Sequence, residues 1–210
     1  HGGGRTEGKR LSAAGDTVKT STVFTYTADI LTQSTTYRGP VTLAQVTASE
    51  QPVPTPISNV KKSITTYSGA EGEEKAQRTY NFNSTASLIK TVTVFTYVSD
   101  ILTQSVTSRN TAVTNLPASV VIGPTKSITL YTGPESEEKA DKTYNFNYAG
   151  DQIKTLTLFT YVNDTLTQSA TYRNTATTAV IANVVQGPMK SITYYVGNEG
   201  EEKAKLTQNY

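Results

Sequence analysis

Along "KTLTLFTYV" (Lys154 to Val162) the side chains alternate: Leu156, Leu158 and Val162 fall on one side, Thr157, Phe159 and Tyr161 on the other. A period of two is that of a β-strand, and Thr, Val and Tyr suit a half-buried pleated surface. Asn163-Asp164 follows as a short turn, because an Asx side chain can bond its own backbone, and leads into a second strand, "TLTQSATYR". "KSITLYTG" predicts a third strand, and the turn Glu135 to Ala140 ("ESEEKA") reverses the chain into a fourth, "DKTYNFNY". Between the second and third strands runs a Pro- and Ala-containing link, Asn110 to Thr125, in which "ASVVIG" predicts a short extra strand. The expected arrangement is a meander of adjacent antiparallel hairpins.

The same pattern occurs three times. "TVFTYTADILTQSTTYR", "TVFTYVSDILTQSVTSR" and "TLFTYVNDTLTQSATYR" are copies of one segment, and Ser63, Ser127 and Ser191 open three copies of another at a spacing of 64 residues. Phe24, Phe95 and Phe159 are separated by 71 and then 64, so the first copy carries seven extra residues between Arg38 and Lys61, where "EQPVPTPIS" lies. A fixed period of this length marks a repeat architecture in which each unit packs on its neighbours. The expected fold is therefore all-β: a solenoid-like antiparallel repeat sheet of three 64-residue units. The divergent segment 1–12 precedes one repeat domain, 13–210, with units near 13–76, 77–140 and 141–204 and a last strand at 205–210.

The Pro-rich insertion cannot join a central strand and is the expected place for a lateral contact. The third copy reaches Tyr210 in mid-pattern, while "AAGDTVKTSTVFTY" (Ala13 to Tyr26) matches "YAGDQIKTLTLFTY" (Tyr148 to Tyr161). One unit thus reads as divided between the two ends. Its halves could meet in a neighbouring copy, in a ring, or in further repeats of a longer protein. The expectation is a head-to-tail homopolymer joined by strand pairing, with Leu206, Gln208 and Tyr210 meeting Leu11, Ala14, Gly15 and Asp16 of the next copy. The alternative is a surface adhesin that binds glycan or protein through repeated Tyr and Asn faces.

Composition narrows the partners. Nineteen Lys and Arg against 17 Asp and Glu leave no one-sided basic field, which argues against nucleic acid. No apolar run approaches the ~20 residues needed to span a bilayer. Without cysteine there is neither a disulfide framework nor a thiolate metal site, and a chain opening at His1 is expected to be extracellular or at the cell surface.

The segments "YNFNYAGDQIKTLTLFTY" and "FTYVNDTLTQSATY" resemble the tyrosine-aspartate (YD) repeats of Rhs-type proteins, in which aromatic-x-aromatic strands alternate with Gly- or Asp-containing turns. The "GxEGEEKA" unit is similar to repeats of very large bacterial surface proteins. The resemblance implies a long wrapping sheet that serves as a shell, stalk or fibre. It implies no enzyme activity.

Catalytic chemistry finds no foothold. The sole histidine, His1, precedes three glycines, which leaves no Ser-His-Asp triad. A copper oxidase would need a second histidine. The acidic turns Glu71–Lys75, Glu135–Lys139 and Glu199–Lys203 could stack as a carboxylate ladder for calcium, but each holds its own lysine and reads first as a solvated turn. No cofactor or metal is expected. Tyr67, Tyr131 and Tyr195 could bind a glycan, though cross-strand packing is the simpler use. Asn83-Ser84-Thr85 and Asn163-Asp164-Thr165 are glycosylation sequons in predicted turns.

Overall fold

In the computed structural model, which describes residues 17–51 and 55–210, the chain forms one twelve-stranded antiparallel sheet whose spatial order is its sequence order. The strands are β1 (Thr20–Thr27), β2 (Ile30–Arg38), β3 (Lys61–Ser68), β4 (Lys75–Phe82), β5 (Ile89–Val98), β6 (Ile101–Asn110), β7 (Ile122–Thr132), β8 (Lys139–Phe146), β9 (Ile153–Val162), β10 (Thr165–Asn174), β11 (Gln186–Val196) and β12 (Lys203–Asn209). The all-β repeat meander expected from the alternation is what forms. Strand by strand, each unit comprises four of them. Among the described residues β1 and β12 do not pair with each other, and the sheet stays open.

Local chemistry sets the hairpins. Ala28-Asp29, Ser99-Asp100 and Asn163-Asp164 all take positive φ, from 47° to 67°, which is the backbone of a two-residue type I′ turn matched to strand twist. In the longer turns Gly69, Gly133 and Gly197 sit at φ +124° to +144°, where a Cβ would meet the carbonyl of Glu73, Glu137 or Glu201 at 2.5 to 2.7 Å. Five register shifts leave a lysine as the extra, exposed residue: Lys62, Lys90, Lys126, Lys154 and Lys190. Such bulges add twist and place charge outward.

The core lies in patches at the joints between units. One joins Ile64, Tyr80, Phe82, Ile89 and Val92, with Val120 packed on it; the other joins Tyr144, Ile153 and Leu156, with Ile181 and Val184 on top. The covering residues come from the β6–β7 and β10–β11 links. Each link contains a 3-10 turn, Pro117–Ser119 or Ile181–Asn183, and lies over the joint to the preceding unit. The extra strand expected at "ASVVIG" therefore does not form: Ala118 and Ser119 belong to the 3-10 turn, and Ile122 and Gly123 open β7. Asn110 and Asn174 hold these links by donating to the Ile89 or Ile153 carbonyl and accepting from Val121 or Val185 N–H.

The first link differs. Helix α1 (Leu43–Ser49) occupies it, started by Thr42 and Gln45, whose side chains and backbones cap each other reciprocally. Asn59 then ties the helix down, accepting from Gln45 and donating to the Pro40 carbonyl. No residue of α1 is buried, and Leu43 is 80% exposed.

Candidate assembly edge

The joints inside the chain define what a strand of the β4 type requires from its neighbour. β8 pairs with β9 through Lys142↔Leu158, Thr143↔Thr157, Tyr144↔Leu156, Asn145↔Thr155 and Phe146↔Ile153, and β4 pairs with β5 in the same register. Cross-strand threonine pairs bond through their hydroxyls between β1 and β2, β3 and β4, β5 and β6, β7 and β8, β9 and β10, and β11 and β12, as in Thr129–Thr143 at 2.9 Å and Thr157–Thr171 at 2.9 Å. These rows lie on the face opposite the links.

At one end of each joint sits a three-charge clasp. The Lys75 ammonium at the start of β4 reaches the Asp100 carboxylate at 2.7 Å and Glu135 at 3.0 Å; Lys139 at the start of β8 reaches Asp164 and Glu199, each at 3.0 Å. The lysine comes from one unit and both carboxylates from the next. Tyr97 and Tyr161 complete the clasp, each donating its hydroxyl to a carbonyl across the joint, Ala76 or Ala140, with the lysine above its ring. The bond from Asp100 is the first cause that raises the Lys75 pKa, against burial. Burial pulls Lys139 down, but Glu199 and Asp164 outweigh it and the net direction is also up.

The two open edges carry the members of this clasp separately. Lys203 and Ala204 stand on β12 where Lys139 and Ala140 stand on β8. Tyr26, Asp29 and Glu71 stand where Tyr161, Asp164 and Glu199 stand in the last unit. Among the described residues, no ion pair involves Lys203, Asp29 or Glu71, and Tyr26 is 60% exposed. Glu71 and Lys203 belong to the acidic turns, in which each lysine reads from the sequence as part of its own turn. In the folded sheet the equivalent lysines, Lys75 and Lys139, pair with carboxylates of the following unit instead. The threefold recurrence was visible, but only strand register shows that the lysine of one unit meets the carboxylates of the next.

Of the residues expected at the interface, Leu206, Gln208 and Tyr210 lie on or just beyond β12, whose residues are all exposed. Leu11, Ala14, Gly15 and Asp16 fall outside the described residues. Carried onto the edges, the internal register sets Leu206 opposite Val23, Thr207 opposite Thr22, Gln208 opposite Ser21, Asn209 opposite Thr20 and Tyr210 opposite Val18.

The other candidates are engaged within the chain. Tyr67, Tyr131 and Tyr195 lie half-buried, bonded through their hydroxyls to Ser34, Ser105 and Ser169 at 3.0 to 3.1 Å. In the acidic turns, Glu74, Glu138 and Glu202 accept the backbone N–H of Leu31, Leu102 and Leu166, and those bonds hold the three carboxyls below the usual range. Among the described residues no cluster of three metal-ligating side chains forms, and no helix is long and apolar enough to cross a membrane. Asn83 uses its amide to hold its own turn, whereas Asn163 is exposed. No family model matches the chain, and no curated protein does.

Proposed function

We propose that this chain is a structural subunit that assembles head to tail, β12 of one copy pairing with β1 of the next and continuing the sheet. The supporting observation is the divided clasp: Lys203 on one edge, Tyr26, Asp29 and Glu71 at the other, each in the position its internal counterparts use to join two units. Main-chain bonding along the open edges supplies cohesion, as in strand addition generally, and the side chains select the register. A Thr207–Thr22 pair would extend the threonine row across the boundary. Glycan binding through Tyr67, Tyr131 and Tyr195 has less support, because a ligand would have to displace their serine partners.

Charge reversal tests the proposal. Wild-type protein should form long oligomers by sedimentation and electron microscopy. Lys203→Glu should remain monomeric, since it would face two carboxylates, and adding Asp29→Lys and Glu71→Lys should restore assembly. A wild-type chain that stays monomeric as concentration is raised, or a Lys203→Glu variant that assembles equally well, would refute it.

A further inference from the structure

At the centre of each internal joint, on the face covered by a link, one aromatic and one aliphatic side chain stand opposite each other. These are Tyr80 with Val92 and Tyr144 with Leu156, all four buried. The corresponding positions at the open edges are Gln208 on β12 and Ser21 on β1. Both halves of the pair are polar, while the clasp and threonine positions around them are unchanged in type. A change on one side alone would leave a buried amide or hydroxyl against hydrocarbon, which is costly; changed together, the two remain complementary.

Ser21 is already oriented for this role. Its Oγ donates to the Gly39 carbonyl at 3.0 Å and accepts from the Val41 N–H at 2.9 Å, which fastens the first link beside the β1 edge. One lone pair is left, and a hydroxyl oxygen can accept twice. The Gln208 side chain offers two amide N–H donors.

We propose that Ser21 and Gln208 form the specificity pair of the joint between copies: the Gln208 amide of one copy donates to Ser21 Oγ of the next. This rests on the head-to-tail reading and adds what sets that joint apart. The pair makes the joint weaker than those inside the chain, so that copies add and leave reversibly. It also keeps β12 from displacing β4 or β8 beside the near-identical β5 and β9, because Gln208 opposite Val92 or Leu156 would have no partner. A single buried polar pair fixes partner choice in the same way in other strand and helix assemblies.

The test is a double-mutant cycle read as critical concentration by sedimentation, with Ser21→Val, Gln208→Tyr and both together, which recreates the internal pair. Ser21→Val alone should raise the critical concentration, the double variant should lower it about tenfold, and the two changes should be strongly coupled. Ser21→Thr, which keeps the hydroxyl, should assemble as wild type, and Gln208→Tyr alone, which leaves the Ser21 bonds to Gly39 and Val41 in place, separates loss of the pair from loss of the link. Melting of each variant as dilute monomer checks that the fold persists. If wild type assembles while the two changes act independently, or while the double variant assembles no more readily, the pair has no such role. If no protein of the set assembles, the head-to-tail reading falls together with it. Assembly by the double variant alone would refute the head-to-tail reading for the natural chain and retain the pair as the cause.

Discussion

Ile153 and Val92 are the two largest side chains removed almost wholly from water, and each sits where β5 or β9 meets the preceding unit. A one-layer sheet has few such positions, so each carries an unusual share of the packing. Ile153→Ala should cost about 3 kcal/mol in urea unfolding, since the rigid strands on both sides would leave a cavity. Turn residues offer the opposite change. Ala28 holds φ 47° where the third unit has Asn163, and alanine has no side-chain acceptor to support a left-handed backbone. Ala28→Asn should therefore stabilise the first hairpin by roughly 0.5 kcal/mol, seen as a higher unfolding midpoint.

Each long hairpin is fastened to its neighbour by one carboxylate. Glu74, Glu138 and Glu202 bond the amide of the second residue in the adjacent strands, Leu31, Leu102 and Leu166, and those bonds lower their pKa values on folding. A group with a depressed folded pKa adds stability above its unfolded value, ~4.3 for Glu, and loses it as pH falls through the folded value. The raised Lys75 and Lys139 act oppositely: their contribution is complete below the unfolded lysine value, ~10.4, and disappears as pH rises through the raised one. Stability should be level between those limits and fall at acid pH, with the Leu31, Leu102 and Leu166 amides losing protection relative to their intrinsic exchange rates. In Glu138→Gln the acid-side loss at Leu102 should be reduced, because the amide oxygen accepts without titrating. Amide exchange followed across the acid range checks both expectations.

At the scale of the sheet, the twelve strands leave two rows of unpaired backbone groups among the described residues, and the proposed joint covers one on each copy. Because the clasp is exposed on its acidic side, assembly should weaken as salt rises from ~0.1 to ~1 M, where the screening length shrinks from ~10 to ~3 Å. Critical concentrations measured across that range would show the trend. Lys203→Ala should flatten it, as only the salt-independent strand pairing remains.

How much of this the amino-acid sequence determined follows from the range of the interactions. Strand existence, the face each residue occupies, the two-residue turns and the 64-residue repeat are local or periodic, so Leu156, Asp164 and Ser127 announce their places unaided. Thr42 and Gln45, three residues apart, spell the capping box of helix α1, but a seven-residue helix that buries no side chain leaves no apolar period to mark it. The 3-10 turn at Pro117–Ser119 was hidden because "ASVVIG" reads as a short apolar strand, and only packing on Tyr80 and Val92 shows why it curls. The tertiary structure alone decided which lysine meets which carboxylate and that Tyr144 stands opposite Leu156 across a joint. Each β-bulge shifts register by one residue, and such shifts accumulate between strands far apart in sequence, where periodicity alone cannot count them.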